Sequence, residues 1–318
     1  MLVRFWGTRG SLPVAAKADA IRAKIARALV AANGSSIANL DEANAFIDRE
    51  LDFANSATYG GATACVEIEA GDSFFVCDMG SGLREFGLSA MKRCAEGHRR
   101  TYNFFQSHLH WDHIMGFPFF VPAFDPAAKI VIHSAHPDAE DALRRQQEEI
   151  SFPVQFDWLR ASIEFVQMTP GQSIEVDGLT VVAEKQQHSH DSYGYRFTNG
   201  SRTVVFSTDS EHKIDDMKDE ATFIEFFRDA DLVICDTMYS LADSVSMKED
   251  WGHSSNVVAI DLCHEAGAKR LALFHHEPTY DDEDIQRMHE ESIRYEELTR
   301  DGKALEVLCA YDGLELRI

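Results

Sequence analysis

The chain has 318 residues, of which 45% are hydrophobic, and this is enough apolar material for a substantial buried core. Its 30 Lys and Arg residues stand against 53 Asp and Glu residues, giving a formal charge of −23. Because such a charge repels a nucleic-acid backbone, the composition disfavours a nucleic-acid polymer as the partner.

The first residues, 1–7, lack the basic and apolar regions of a secretory signal. The most apolar stretch, residues 117–124, is too short to cross a bilayer and contains two prolines. The six cysteines form no C-x-x-C pair, and several lie in apolar runs, so we expect reduced, buried thiols. These features predict a soluble cytoplasmic protein without a membrane segment.

The predicted elements begin with a strand at residues 2–6. A helix is predicted at residues 18–32, because Ile21, Ile25 and Leu29 recur at helical spacing before the stop at Asn33-Gly34. A second helix is predicted at residues 41–51. Both helices lie in a segment, about residues 14–57, that we interpret as an insertion into one domain spanning residues 1–318.

Short runs rich in Val, Ile and Phe predict the later strands. These runs are residues 64–70, 73–76, 102–106, 129–133, 180–183, 203–206, 232–235, 270–274 and 305–308. Ser254 or Ser255 is the expected cap of a helix that ends at Gly267, and the strand at 270–274 then places His275 at a strand end. Mixed strand–strand and strand–helix connections predict an α/β protein with helices on two layers of mixed sheet.

The strand at 102–106 leads into a dense set of polar side chains. His108, His110, Asp112 and His113 fall within residues 107–113. Imidazole and carboxylate groups are costly to bury without partners, whereas a metal ion such as Zn²⁺ binds both types. A solvated polar loop is the alternative, but further histidines that follow other strands favour a metal site.

The order His-x-His-x-Asp-His resembles the signature of the metallo-β-lactamase superfamily. Residues 58–65 and 77–82 are similar to the early sheet of that family, and residues 206–209 to its strand with a bridging carboxylate. The resemblance implies a four-layer αββα sandwich and two divalent metal ions, expected to be Zn, with Mn or Fe as alternatives. It also implies seven metal ligands: His108, His110 and His188 for one ion, Asp112, His113 and His275 for the other, and Asp209 as the bridge.

Two of these assignments involve a choice between neighbouring histidines. The spacing to residues 194–196 favours His188 over His190, and the strand end favours His275 over His276. Asp78 resembles the family's strand-end aspartate, which is expected to orient a ligand without binding the metal.

Residues 251–255 resemble the Gly-His-Ser-Thr element of the phosphodiesterase branch, which includes tRNase Z and PhnP-like enzymes. This resemblance implies a dinuclear metal-dependent hydrolase that cleaves a small or cyclic phosphodiester through a metal-bridging hydroxide. Asp209 and His253 are the expected catalytic residues, with His253 donating a proton to the leaving group or holding a phosphate oxygen. Capping or packing is the alternative role of His253, and Asp236 is expected to orient His253 or lie near the metals.

Residues 4–13 also resemble the start of this branch. Either Arg9 or Ser11 is a candidate contact for a substrate anion, and a structural ion pair is the alternative for Arg9. The competing functions are thioester or lactone hydrolysis at the same site and a non-catalytic, metal-containing ligand sensor. The sequence leaves open a homo-oligomer, the exact substrate and the role of the segment 14–57.

Overall fold

The computed structural model describes residues 1–211, 217–240 and 253–318. Their strands form two sheets of seven strands each. The first sheet has the order β14-β1-β2-β3-β4-β5-β6. Its strands are β1 (Leu2–Gly7), β2 (Cys65–Glu69), β3 (Phe74–Cys77), β4 (Thr101–Gln106), β5 (Lys129–Ser134), β6 (Ser162–Gln167) and β14 (Glu315–Arg317). The neighbours from β3 to β6 are parallel, so their carboxyl ends lie along one edge.

The second sheet has the order β13-β12-β11-β10-β9-β8-β7. Its strands are β7 (Ser173–Val176), β8 (Leu179–Gln186), β9 (Ser192–Asn199), β10 (Arg202–Ser207), β11 (Leu232–Asp236), β12 (Arg270–Phe274) and β13 (Glu306–Cys309). The neighbours from β10 to β13 are parallel, and those from β7 to β10 are antiparallel. The carboxyl ends of β10 to β13 therefore lie along one edge of the second sheet.

The main core lies between the two sheets. Phe5 of β1 contacts Phe274 of β12, with ring centroids 6.2 Å apart, and Phe105 of β4 meets Phe197 of β9 at 4.9 Å. These side chains are fully buried, and each buried Phe contributes about 1.5–3 kcal/mol to folding. Successive strand residues face opposite sides, so Phe104 packs in the cluster on the other face of the first sheet.

Helices cover the outer faces of both sheets. They are α1 (Ala18–Ala31), α2 (Leu40–Glu50), α3 (Phe53–Ser56), α4 (Leu83–Ala95), α5 (Trp111–Ile114), α6 (Ala139–Gln146), α7 (Met217–Phe227), α8 (Asn256–Ala266) and α9 (Asp282–Thr299). Leu83 and Phe86 of α4 are buried on the first sheet, and Phe223 of α7 and Ile260 of α8 are buried on the second. The layers therefore run helix, sheet, sheet, helix, which confirms the predicted αββα architecture.

The helices α1 and α2 lie in the segment predicted to be an insertion, and that interpretation stays a prediction. Lys24 and Arg27 of α1 form ion pairs with Asp282 and Glu283 at the start of α9. The predicted apolar side of α1 is solvent-exposed, with Leu29 showing 70% of its surface. Electrostatic contacts, rather than burial of that apolar side, therefore hold α1 to the rest of the chain.

Two other expectations can be compared with the structure. All six cysteines are free thiols and five are buried, as predicted, while Cys94 is half-buried. Among the described residues, no helix is both long and apolar enough to cross a bilayer.

Candidate metal centre

The predicted ligands come together at the carboxyl ends of strands from both sheets. The motif at residues 107–113 follows β4, and His188 follows β8. Asp209 and His275 come after β10 and β12. Both of these residues have a positive φ, 38° and 63°, which non-glycine residues adopt at a cost of about 1–3 kcal/mol. The fold thus holds two site residues in an unfavourable backbone conformation.

Their donor atoms form two groups that share one carboxylate. Each group has ligand atoms that all lie within 4.8 Å of one another. The first group is His108, His110, His188 and Asp209, and the second is Asp112, His113, Asp209 and His275. All seven predicted ligands therefore lie in these two groups, and neither His190 nor His276 does.

The second group has the spacing of a tetrahedral metal site. His113 Nε2 lies 3.1 Å from Asp112 Oδ2 and 3.2 Å from Asp209 Oδ1. His275 Nε2 lies 3.1 Å from Asp209 Oδ1 and 3.3 Å from both Asp112 Oδ2 and His113 Nε2. Four ligands bound tetrahedrally at about 2.0 Å would be separated by about 3.3 Å. These buried donors consequently fit one ion of the size of Zn²⁺.

The first group is slightly wider. His188 Nε2 lies 3.2 Å from His110 Nδ1 and 3.7 Å from Asp209 Oδ2. His108 Nε2 lies 3.5 Å from the same oxygen and is buried without a hydrogen bond among the described residues. Since Asp209 turns Oδ1 toward the second group and Oδ2 toward the first, its carboxylate has the placement of a bridge.

A buried hydrogen-bond network fixes two of these imidazoles. Ser107 Oγ donates to Asp78 Oδ2 at 2.8 Å, so His108 Nδ1–H donates to Ser107 Oγ at 3.0 Å. His113 Nδ1–H donates to Asp78 Oδ2 at 2.7 Å. Both rings therefore have their Nδ1–H held by the protein and turn Nε2 toward the donor groups. Asp78 has the orienting position predicted for it.

The electrostatics of the site also suit cations. Burial alone would raise the pKa of Asp209, but the nearby charges of His113 and His275 hold it well below the usual range. Burial opposes charge on His113 too, yet Asp209, Asp112 and Asp78 raise its pKa well above 6.5. Burial lowers the pKa of His108 well below 6.5, which keeps that imidazole neutral. The clustered carboxylates stabilise positive charge where the two donor groups meet.

His253 lies beside both donor groups. Its Nδ1–H donates to Asp236 Oδ2 at 2.7 Å, and its ring centroid is 5.3 Å from His188 and 5.2 Å from His275. Burial alone would lower the pKa of His253, but the charge of Asp236 and the hydrogen bond raise it to about 9. Both roles expected for Asp236 agree with the geometry, because Oδ2 contacts His253 and Oδ1 lies 3.8 Å from Nδ1 of His275.

The cap of α8 is Ser255, whose side chain accepts the backbone N–H of Val258. Ser254 instead donates to the carbonyl of Ser210. Capping therefore does not need His253, so the alternative role of that residue is reduced to packing. Trp251 and Gly252, which belong to the same predicted element, lie outside the described residues.

The two neighbouring histidines have different surroundings. His276 is fully buried and donates from Nε2 to the carbonyl of Ala310 at 2.7 Å, and burial lowers its pKa to about 3. His190 is solvent-exposed beside His188. The choices of His275 and His188 over these neighbours agree with the geometry.

Of the two candidate roles of Arg9, the structure supports the structural one, but through backbone carbonyls rather than through an ion pair. Arg9 is 3% exposed, and its guanidinium donates to the backbone carbonyls of Gly60, Glu277 and Tyr280. Those carbonyls occupy donors that a substrate anion would need, so Arg9 has a structural role. At Ser11, the backbone N–H donates to Asp112 Oδ2 at 2.8 Å and helps to hold that carboxylate.

Replacing Arg9 with alanine is expected to lower the free energy of unfolding by about 2–4 kcal/mol, because one buried and two half-buried carbonyls lose their donor. Urea denaturation measures the loss, with Arg84→Ala as the control, since Arg84 is exposed and changes stability by less than about 0.5 kcal/mol. A loss below about 1 kcal/mol for Arg9→Ala would argue against this structural role.

Sequence reasoning missed the role of Gln106, which precedes the motif. Its side-chain amide is buried and donates to Asp78 Oδ1 and to the carbonyls of His108 and His113. It therefore fixes the backbone that carries the motif. The only signal was its position as the last residue of a strand that enters the site.

Comparisons with known proteins agree on the family. A family model described as the Beta-lactamase superfamily domain matches residues 75–276. The probable metallo-hydrolase YhfI of Bacillus subtilis is 34% identical over 107 residues, which cover 33% of this chain and 39% of that protein. Ribonuclease Z of Streptococcus equi is 23% identical over 245 residues, covering 61% of this chain and 77% of the relative.

Solved structures show the same fold. The crystal structure of YhfI aligns with a TM-score of 0.64 and 20% identity, covering 99% of this chain and 98% of that one. A diphosphatase from the PhnP family aligns with a TM-score of 0.61 and 18% identity, covering 100% of this chain and 97% of that one. The similarity therefore extends over the whole fold rather than over the motif alone.

Proposed function

Because the chain belongs to the metallo-β-lactamase superfamily, we propose that it is a dinuclear metal-dependent phosphodiesterase that acts on a small or cyclic phosphodiester. The observation that carries this proposal is the contact of His253 with Asp236 beside two donor groups that share Asp209. This arrangement combines places for two cations with a separate proton donor, which cleavage of an ester with a poor leaving group requires.

The seven donors divide into two sets. His108, His110 and His188 would hold one ion, Asp112, His113 and His275 the other, and Asp209 both. When bound, two Zn ions would activate water near neutral pH and stabilise the charge on phosphoryl oxygens. Mixed imidazole and carboxylate donors also accept Mn or Fe.

The chain's own residues supply orientation and proton transfer. Asp78 keeps His113 in the tautomer that exposes Nε2, and Asp236 binds Nδ1 of His253. His253 Nε2 then donates a proton to the departing alkoxide. A thioester hydrolase would need the same donor groups but less from His253, because a thiolate leaves more readily than an alkoxide. A lactone releases an alkoxide, as an alkyl phosphodiester does, so the substrate panel has to separate those two.

The charge of the chain supports a small substrate. A formal charge of −23 opposes a polymer that carries one negative charge per nucleotide. The likeness to ribonuclease Z makes RNA the second candidate substrate. The free, mostly buried cysteines support a cytoplasmic location.

A substrate panel tests the proposal. The metal-loaded protein is expected to hydrolyse bis(p-nitrophenyl) phosphate and at least one cyclic nucleotide faster than a lactone, a thioester or an RNA with a 3′ extension. The reverse order, with lactone or thioester cleaved and no phosphodiester turned over, would contradict it. Metal binding without turnover of any substrate would instead support a ligand sensor.

Asp78→Asn is expected to weaken metal binding by about 10–100-fold, because an amide cannot accept from both His113 and Ser107 with the same strength. Competition with a chromogenic chelator measures the affinity. The matched control is Asp231→Asn, since Asp231 is also buried but pairs with Lys269 far from the donor groups. Equal affinities in the wild type and Asp78→Asn would show that the network does not orient the ligands.

A further inference from the structure

A cavity of about 430 Å³ opens beside the first donor group, and we call it the flanking pocket. Residues 108–110 line it, so the cavity lies next to the first donor group. Asp141 and Arg145 of α6 form one wall, and residues 189–191 after His188 form the other. This volume lies within the range of about 300–1,000 Å³ that small-molecule sites have.

The α6 wall presents an exposed cation, Arg145, that has no protein partner among the residues that the structure describes. Asp141 and Arg145 are one helical turn apart, while Ala139 and Leu143 of α6 are buried. The adjacent Arg144 is held by Glu140 at 2.8 Å and Asp157 at 2.6 Å. By contrast, the Arg145 side chain makes no hydrogen bond or ion pair with any residue in the described ranges.

His136 adds a second donor to the pocket. Its Nδ1 accepts the backbone N–H of Asp138 at 3.3 Å, so the neutral ring carries its proton on Nε2. Asp138 and Asp141 supply carboxylate acceptors along the same wall. The second wall contains His190 and Asp191, both with positive φ, and Asp191 is engaged by Lys185 at 2.8 Å.

The pocket therefore combines strong donors with strong acceptors beside the donor groups. A second phosphate would be repelled by Asp138 and Asp141. A purely apolar group would leave the charged side chains of this wall without partners, although Leu109 and Ala142 add apolar lining. Sugar hydroxyls both donate and accept hydrogen bonds, so they satisfy the two kinds of lining group at once.

We propose that the flanking pocket binds the sugar of the phosphodiester substrate and that Arg145 is its specificity-determining residue. The inference rests on the proposed function, since it places the phosphoryl group over the donor groups and the sugar against α6. Arg145 donates to a sugar hydroxyl, and Asp141 accepts from one.

Isothermal titration calorimetry of the metal-loaded protein tests this pocket with ribose 5-phosphate and butyl phosphate, which share a phosphate but differ in hydroxyls. The wild type is expected to bind ribose 5-phosphate at least about tenfold more tightly. Arg145→Ala is expected to reduce that preference to less than about threefold, whereas Arg144→Ala, the matched control, retains it.

If the wild type bound ribose 5-phosphate and butyl phosphate equally tightly, the proposal that the flanking pocket binds a sugar would be wrong. It would also be wrong if the Arg145→Ala variant still preferred ribose 5-phosphate. Calorimetry measures binding without turnover, so its result does not depend on whether the protein hydrolyses phosphodiesters. If the protein prefers the sugar phosphate through Arg145 but hydrolyses no phosphodiester, the proposed sugar site stands and the proposed phosphodiesterase activity is wrong.

Discussion

Asp209→Ala is expected to lower the metal content of the purified protein from two ions per chain to one or fewer, and to reduce kcat by more than about 100-fold. Removing a residue that only orients a metal ligand lowers metal affinity or activity by about 10–100-fold. Asp209 itself faces both donor groups, so its removal is expected to have a larger effect. Elemental analysis after dialysis measures the metal, and hydrolysis of bis(p-nitrophenyl) phosphate measures kcat.

The control for this substitution is Asp231→Ala. Asp231 is buried and pairs with Lys269, so its removal is expected to cost stability without changing the metal content. If Asp209→Ala still held two ions per chain, the shared-carboxylate arrangement would be wrong. Asp209→Asn removes the negative charge but keeps the shape of the side chain, and we expect this variant to retain more metal than Asp209→Ala does.

His253→Ala is expected to slow the two classes of phosphodiester unequally. A substrate with an alkoxide leaving group should lose about 10²–10⁴-fold in kcat, because protonation of that group is the role proposed for His253. The kcat for bis(p-nitrophenyl) phosphate should fall much less, since nitrophenolate leaves without being protonated. Steady-state kinetics on both substrates, with metal analysis of the same preparation, give the comparison.

The matched control is His289→Ala, because His289 is a half-buried histidine that bonds the carbonyl of Val307 away from the site. It should leave both rates unchanged. Equal loss on both substrates, or loss of metal together with activity, would assign His253 a structural role instead. Asp236→Asn is expected to resemble His253→Ala in a milder form, because it weakens the contact that orients the imidazole.

The sequence predicted the architecture well where strands are apolar and bounded by turn residues. The strand at 270–274 is found with those bounds, and the one at 203–206 extends by one residue at each end. The helix α9 was missed because its buried face includes Ser292 and Glu296 beside Ile285 and Met288. That face is too polar to give a clear helical period. The strand β9 was missed because Gly194 and several polar residues interrupt its apolar pattern.

At the site, the resemblance to the metallo-β-lactamase superfamily assigned the donors and the orienting role of Asp78, but not the contacts of Gln106 and Arg9. The dense motif alone indicated four of the seven donors that the structure brings into two groups. The role of Asp236 depends on a hydrogen bond to a loop 17 residues away, and that of Arg9 on carbonyls 51 and more residues away. The contact of Asp236 with His253 was one of its two expected roles, whereas the partners of Arg9 have no sequence pattern, because a backbone carbonyl belongs to every residue.

The most direct test of the central claim is titration of the metal-free protein with Zn²⁺, followed by calorimetry and by turnover of bis(p-nitrophenyl) phosphate. The two donor groups predict that two ions bind per chain and that activity reaches its maximum only after the second. Saturation at a single ion, or full activity in the metal-free protein, would contradict a dinuclear phosphodiesterase.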